Sequence, residues 1–335
     1  MDLNRVLITG AAGFIGFHLC QKLLNSGQSI LGIDNLNSYY DPLLKRGRLR
    51  LLEKHPKFHF NKVDLCDSAL EKIILDFNPQ VIIHLAAQAG VRYSLENPEA
   101  YVQSNVMGTL KLLEVSRHLS VKHFIYASSS SVYGANKSIP FQEADRVDQP
   151  MSLYAVTKRT NELTAQVYSQ LYNLPLTGLR FFTVYGSWGR PDMAYFSFTK
   201  KILNGDPISL YNNGNLKRDF THVSDIVESI ARLIPKPPVE VNDLGARHQI
   251  LNIGAHQPVP LLEFIETIEQ LLDKKAVKEY LPMQKGDVFE TYADVSKLEQ
   301  ITGYKPQVSL KNGLKEFMDW YLSYYESTDQ KEVFS

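Results

Sequence analysis

Thr9-Gly10-Ala11-Ala12-Gly13-Phe14-Ile15-Gly16 is the stretch from which the fold is read. It follows a short apolar run, Arg5 to Thr9, and leads into Phe14 to Leu24, an amphipathic pattern stopped by Gly27, so it predicts a strand, a tight turn and a helix. The glycines fall at the turn, where backbone must approach a bound group most closely, and where the helix meets the strand. Free amides and the positive end of the helix dipole can then hold a pyrophosphate. Asp34 closes the next apolar run, Ile30 to Asp34, where a carboxylate suits ribose hydroxyls and repels a 2′-phosphate. The spacing predicts a site for NAD rather than NADP, formed by Gly10, Ala12, Gly13, Phe14, Ile15, Gly16, Asp34 and Asn35. The basic run Lys45, Arg46, Arg48 and Arg50 could serve a phosphate, but is read as a solvated helix face.

Further apolar runs follow at Phe58 to Asp64, Val81 to Ala86, His123 to Ser128 and Leu176 to Phe182, separated by helix-length segments. That alternation predicts an α/β fold, a Rossmann-type doubly wound parallel sheet. Asp64 and Leu65 end the third strand, where a side chain and a backbone group can meet an adenine. Leu85, Ala86 and Ala87 end the fourth with small residues that let a cofactor lie against the backbone, and His84 is read as a packed strand residue. Pro98 to Leu119 and Tyr154 to Tyr172 carry helical periodicity and are expected to cover the sheet and to supply a homodimer face. Beyond Phe182 the pattern loosens, with helical stretches at Tyr195 to Asn204, Pro260 to Lys274 and Lys311 to Tyr325. Residues 1–182 are read as the NAD-binding domain and 183–330 mainly as a smaller C-terminal α/β substrate lobe, from which the chain can return to the first domain.

Lysine plus arginine and aspartate plus glutamate both number 36, so no global field recruits nucleic acid or an anionic membrane. Two cysteines, Cys20 and Cys66, are too few for a disulfide framework or a zinc site, so no metal is expected. No apolar run approaches the roughly 18 residues of a membrane span, and a cytoplasmic enzyme is the expectation.

Tyr154-Ala155-Val156-Thr157-Lys158 places an ammonium one helical turn after a phenol. The charge is expected to lower the tyrosine pKa and prepare a general base for a hydroxyl proton. Hydroxyls at the end of the preceding strand, in Tyr126-Ala127-Ser128-Ser129-Ser130-Ser131-Val132-Tyr133-Gly134, can bond a substrate oxygen beside it.

With these motifs the chain resembles the extended short-chain dehydrogenase/reductases, and among them the UDP-glucuronate 4-epimerases. The resemblance covers nearly the whole chain. It rests on the glycine motif, Asp34 with Tyr39-Tyr40-Asp41-Pro42, His84-Leu85-Ala86-Ala87-Gln88-Ala89-Gly90-Val91-Arg92-Tyr93-Ser94, and Tyr154 with Lys158. It extends through Phe181-Phe182-Thr183-Val184-Tyr185-Gly186, the narrower Trp188-Gly189-Arg190-Pro191-Asp192-Met193-Ala194, and Arg218-Asp219-Phe220. Ser187 stands where that family usually has proline, which alters a turn rather than a reactive group.

The resemblance implies reversible C4 epimerisation of a UDP-hexuronic acid, UDP-glucuronate to UDP-galacturonate, through a transient 4-keto sugar and tightly bound NAD. It implies Tyr154 as base, Lys158 on the nicotinamide ribose, and Ser129 on the C4 oxygen, with Ser130 and Ser131 close enough to exchange that role. Thr183 stands where the related UDP-galactose epimerases carry asparagine, so it and a serine of the 129–131 run are expected at the C6 carboxylate. Arg92, Arg190 and Arg218 are candidates for the diphosphate and uridine, because guanidinium forks match phosphate oxygens and stack on bases. Tyr211 could flank the uracil and Asp287 could take ribose hydroxyls.

Related decarboxylases carry a glutamate within the serine-run motif, and sugar 4,6-dehydratases an Asp-Glu pair there; this chain has only serines. The nearest alternative is a 4-epimerase for another UDP-sugar, an N-acetylhexosamine or its uronate. UDP-glucuronate decarboxylation and a non-catalytic NAD-binding sensor stand behind it, since a fold does not specify an activity.

Overall fold

The computed structural model describes residues 3–283 and 289–332. Strands β1 (Arg5–Thr9), β2 (Ser29–Asp34), β3 (Phe58–Lys62), β4 (Val81–His84), β5 (His123–Ser129) and β6 (Leu176–Phe181) share one sheet. The apolar runs of β1, β2 and β4 follow from burial on both faces, whereas β3 closes one edge of the sheet and is only partly buried. In β1, Val6 and Ile8 enter one core and Leu7 the other; in β4, Val81 and Ile83 join the first and Ile82 the second.

The chain then forms β7 (Thr183–Tyr185), β8 (Ile208–Leu210) and β9 (Lys217–His222) before β10 (His248–Ile253) returns to the large sheet beside β6. Two short strands follow, β11 (Pro258–Pro260) and β12 (Lys278–Tyr280). The order of the large sheet is β10-β6-β5-β4-β1-β2-β3, and every pair in it is parallel. Strand order reverses between β1 and β4, which opens a crevice at the carboxyl ends of those strands. Strands β7, β9 and β11 make a second sheet, and β8 pairs β12.

Several segments beyond residue 182 belong physically to the large sheet, among them the helix Ser296–Thr302, which packs on the strand beside β6 and puts Leu298 into the core described next. Strand β10 is another, and so is the helix Val223–Leu233, whose Ile226, Val227, Ile230 and Leu233 share a core with Phe17, Leu23 and Leu24 of the helix Phe14–Asn25. The C-terminal helices Ala194–Asn204, Leu261–Leu272 and Leu310–Glu332 build a separate core around Phe196, Phe264, Phe317 and Tyr321.

The expected helix over residues 98–119 is interrupted. Pro98–Tyr101 is α-helical, Val102–Met107 is a π-turn, and Gly108–Ser116 resumes the α-helix. Such widened turns often mark a side chain that must be re-aimed. Here buried Asn105 accepts the Gln88 amide at 2.8 Å and donates to the Gln88 carbonyl at 3.1 Å and the Thr157 hydroxyl at 3.0 Å. It ties the loop after β4 to the helix Leu153–Tyr172.

Among the described residues, no group of three His, Cys, Asp or Glu side chains is placed to hold a metal ion, and no helix is long and apolar enough to cross a membrane.

Candidate active site

Gly10 adopts φ +73°, and a Cβ there would lie 2.8 Å from the Ala86 backbone nitrogen. A Cβ on Gly16 would drive into the Gly10 carbonyl oxygen. The missing side chains let β1, β4 and the first helix close to backbone contact, leaving a shallow cradle above the turn. One Asp34 oxygen accepts the Ala12 amide at 3.2 Å and the other the Leu36 amide at 2.8 Å, so this carboxylate also fixes the loop it overlooks. Asn35 donates to Asp64 at 2.7 Å, which joins the ends of β2 and β3.

The residues expected at the cofactor, except Ala12, line one cleft of about 920 Å³. Ala12 is fully buried beneath it. A backbone cradle that only glycine allows, an acid at the tip of β2 and a lysine at the far wall suit a bound dinucleotide. His84 is a packed residue: it lies 2.7 Å from the Thr9 hydroxyl and 3.0 Å from that of Thr109, and burial holds its pKa down at about 3.

The basic run divides. Arg46 and Arg50 are exposed, whereas Lys45 and Arg48 are buried, so the expected solvated face is corrected for those two. Their helix, Pro42–Leu52, lies against loops whose carbonyls need donors. Lys45 donates to the Asn37 carbonyl at 2.9 Å and its side-chain oxygen at 2.8 Å, and burial lowers its pKa against the opposing pull of Asp34. Arg48 donates to the Ala12, Trp188 and Gly189 carbonyls.

Ser152 caps the helix Leu153–Tyr172 by accepting the Ala155 amide at 3.1 Å, which sets the register that turns Tyr154 and Lys158 to the cleft. The Lys158 nitrogen lies 5.9 Å from the Tyr154 ring centre and donates to the Ala127 carbonyl at 2.9 Å. Burial pulls its pKa down to about 8. The Tyr154 phenol departs from expectation: burial pushes its pKa up, and the groups pulling it down are the Ser129 hydroxyl and the Arg190 charge. Desolvation of the phenolate outweighs them.

The serines also separate. Ser128 donates at 2.6 Å to Glu162, which is held by Arg180 at 2.9 and 3.0 Å in a buried ion pair, so that hydroxyl is committed to structure. Ser129 donates to Ser131 at 3.1 Å, and Ser129, Ser130 and Ser131 line the cleft with Tyr154.

At the far end, Thr183, Arg92, Arg190, Tyr211 and Arg218 all reach the same cleft. The Arg92 guanidinium stands 5.0 Å over the Tyr211 ring, and Arg218 donates to the Lys217 and Phe289 carbonyls at 2.8 and 3.1 Å. Arg190 forms a two-point pair with Asp192 at 3.0 and 2.6 Å, and Tyr39 donates to the same carboxylate at 3.2 Å. Burial pushes the Asp192 carboxyl up, but Arg190 outweighs it and holds the group below its usual value. Asp287 lies outside the described residues. Tyr39 and Asp192 stand inside the quoted motifs, yet only the fold reveals that they meet. Ser187 donates to Glu316 at 2.9 Å, and its carbonyl lies 2.8 Å from the His18 ring nitrogen.

Comparison with known proteins agrees with this geometry. Residues 6–254 match the model of the NAD dependent epimerase/dehydratase family. The chain is 51% identical over 333 residues to Protein CapI of Staphylococcus aureus, covering 96% of this chain and 99% of that protein. It is 49% identical to a probable UDP-glucuronate 4-epimerase of Rhizobium meliloti, covering 95% and 96%. Among solved structures, UDP-glucuronic acid 4-epimerase from Bacillus cereus in complex with UDP-glucuronic acid and NAD superposes with a TM-score of 0.86 at 36% identity, covering 96% of this chain and 100% of that one. With the match spanning the glycine loop, the Tyr154–Lys158 helix and the seventh strand, the chain belongs to the NAD dependent epimerase/dehydratase family.

Proposed function

We propose that this protein is an NAD-dependent epimerase that inverts C4 of UDP-glucuronate to give UDP-galacturonate. The observation that carries the reading is the convergence on one cleft of the glycine loop, the Tyr154–Lys158 pair and an acid-free run of serines facing Thr183. Bound NAD supplies the acceptor and then the donor of the C4 hydride. Tyr154 takes the C4 hydroxyl proton and returns it once the 4-keto sugar has turned within the cleft. Ser129 holds the C4 oxygen, and Lys158 takes the nicotinamide ribose hydroxyls. Asp34 takes the adenosine ribose. Thr183 with the neighbouring serines donates to the C6 carboxylate, while Arg92, Arg190 and Arg218 hold diphosphate and uridine beside Tyr211. Both cysteines are free thiols, which fits work in a reducing cytoplasm.

The test uses UDP-glucuronate deuterated at C4, in ordinary water with no added cofactor. The expected product is the C4 epimer with its deuterium retained. Loss of the label, release of carbon dioxide, or dependence on stoichiometric NAD would each overturn the reading, the second pointing to a decarboxylase and the third to a dehydrogenase.

We also propose a homodimer through the two helical segments beside the cleft. Val156, Leu163, Val167 and Leu171 are 42, 52, 49 and 65% exposed at helical spacing, next to Val102 at 45%. Solution scattering is expected to give twice the 38.1 kDa chain mass, and a monomer mass would rule the dimer out.

A further inference from the structure

Arg48 is a fully buried cation with no part in the chemistry above. Its Nη1 donates to the Ala12 carbonyl at 2.8 Å and the Tyr40 hydroxyl at 2.7 Å. Its Nη2 donates to the Trp188 and Gly189 carbonyls at 2.6 and 3.1 Å, and Nε to the Trp188 carbonyl at 3.1 Å. Those five bonds match the five donors of a guanidinium, whose planar fork no ammonium can imitate.

The partners are what matter. Ala12 belongs to the glycine loop, and its own amide is held by Asp34 at 3.2 Å. Trp188 and Gly189 lie directly before Arg190, which faces the cleft beside Tyr154. Trp188 sits at φ +57°, in the left-handed region that a bulky side chain rarely adopts, so this turn needs outside support. Arg48 gives its carbonyl two hydrogen bonds. The fit is also sterically close: a Cβ on Gly47, the residue before Arg48, would lie 2.9 Å from the Trp188 ring.

We propose that Arg48 is a positioning residue that sets the separation between the pyrophosphate loop and the Arg190 segment, so that cofactor retention and sugar placement depend on one side chain that lies behind both. The inference rests on the NAD and UDP-sugar reading of the cleft.

The test is Arg48→Lys, with NAD per chain measured after denaturing the purified protein, the NAD dissociation rate, and kcat and KM for UDP-glucuronate. Circular dichroism and the melting curve report the fold. The expected result is a folded variant with less than half the wild-type NAD content. Saturating NAD is expected to refill it while kcat stays roughly 10- to 100-fold low and KM changes about threefold or less, because misplacement of reacting groups falls on kcat. A folded Arg48→Lys protein with wild-type NAD retention and kcat overturns the proposal. If that variant does not fold, Tyr40→Phe decides, since it removes one of the five bonds and keeps the ring: faster NAD release with a lowered kcat supports the proposal, and wild-type behaviour overturns it. Failure of the wild-type protein to convert UDP-glucuronate would instead sink the functional reading, and NAD retention would still report on Arg48.

Discussion

Tyr154→Phe is expected to lower kcat roughly 10²- to 10⁴-fold, the span usually contributed by a positioned general base, while fold and bound NAD stay largely intact. The phenylalanine ring keeps the edge-on packing against Tyr101, whose ring centre is 6.0 Å away, so no cavity opens. Only the hydroxyl beside Ser129 is lost. Because burial pushes the Tyr154 pKa up, loss of its proton must be favoured by the cations of the cleft, Arg190 among them. Hence the loss should fall on kcat, with KM for UDP-glucuronate moving little. Steady-state kinetics on protein of measured NAD content checks this. Turnover within a few-fold of wild type would remove Tyr154 from the role of base.

Legibility in the sequence followed the range of the interactions. Arg5 to Thr9, the glycines and Asp34 form a local unit, and their burial and hydrogen bonds lie where strand, turn and helix rules put them. Tyr154 and Lys158 were legible because one helix carries both. Arg48 was not, because its meaning comes from carbonyls 140 residues away, and a helix with a run of basic residues reads the same whether or not a loop lies on it. Ser128 and Ser129 are identical in type. What commits the first to structure is Glu162 on another element, itself held by Arg180 on β6. Strand β10 has a weak sequence signal for a related reason: His248, Gln249 and Asn252 break its apolar run, and their polar groups are satisfied by Tyr126 at 2.8 Å, Thr177 at 3.1 Å and Tyr133 at 2.6 Å from elsewhere in the fold. The π-turn at Val102–Met107 has no local signature, since it serves Asn105's reach toward Gln88.

Lys158→Met is expected to do opposite things to stability and to turnover. The ammonium is nearly fully buried and donates to the Ala127 carbonyl at 2.9 Å, and desolvation pulls its pKa from 10.5 to about 8. A depression of that size corresponds to a folding penalty on the order of 3 kcal/mol. Below about pH 8 the amine is protonated in both folded and unfolded chains, and the penalty is fully present. Between about pH 8 and 10.5 the unfolded chain keeps the proton that the folded one has lost, so wild-type stability rises with pH across that window. Methionine fills similar space without the charge, at the cost of about 1 kcal/mol for the abandoned carbonyl. In the NAD-free protein, the variant is therefore expected to be about 1–3 kcal/mol more stable than wild type at pH 7, with the gap closing toward pH 10. Matching the cofactor state matters, because ligand that binds only the folded chain adds stability of its own. Turnover should fall roughly 10²-fold or more, since the buried cation that orients the reacting groups is gone. Melting curves at pH 7 and pH 10 decide the first half: a variant less stable at pH 7, or a difference that ignores pH, means that the ammonium is not held against its solvation. Wild-type turnover in the same variant would remove Lys158 from the catalytic pair, and the gain in stability with the loss in rate would mark it as a group kept for chemistry at the expense of the fold.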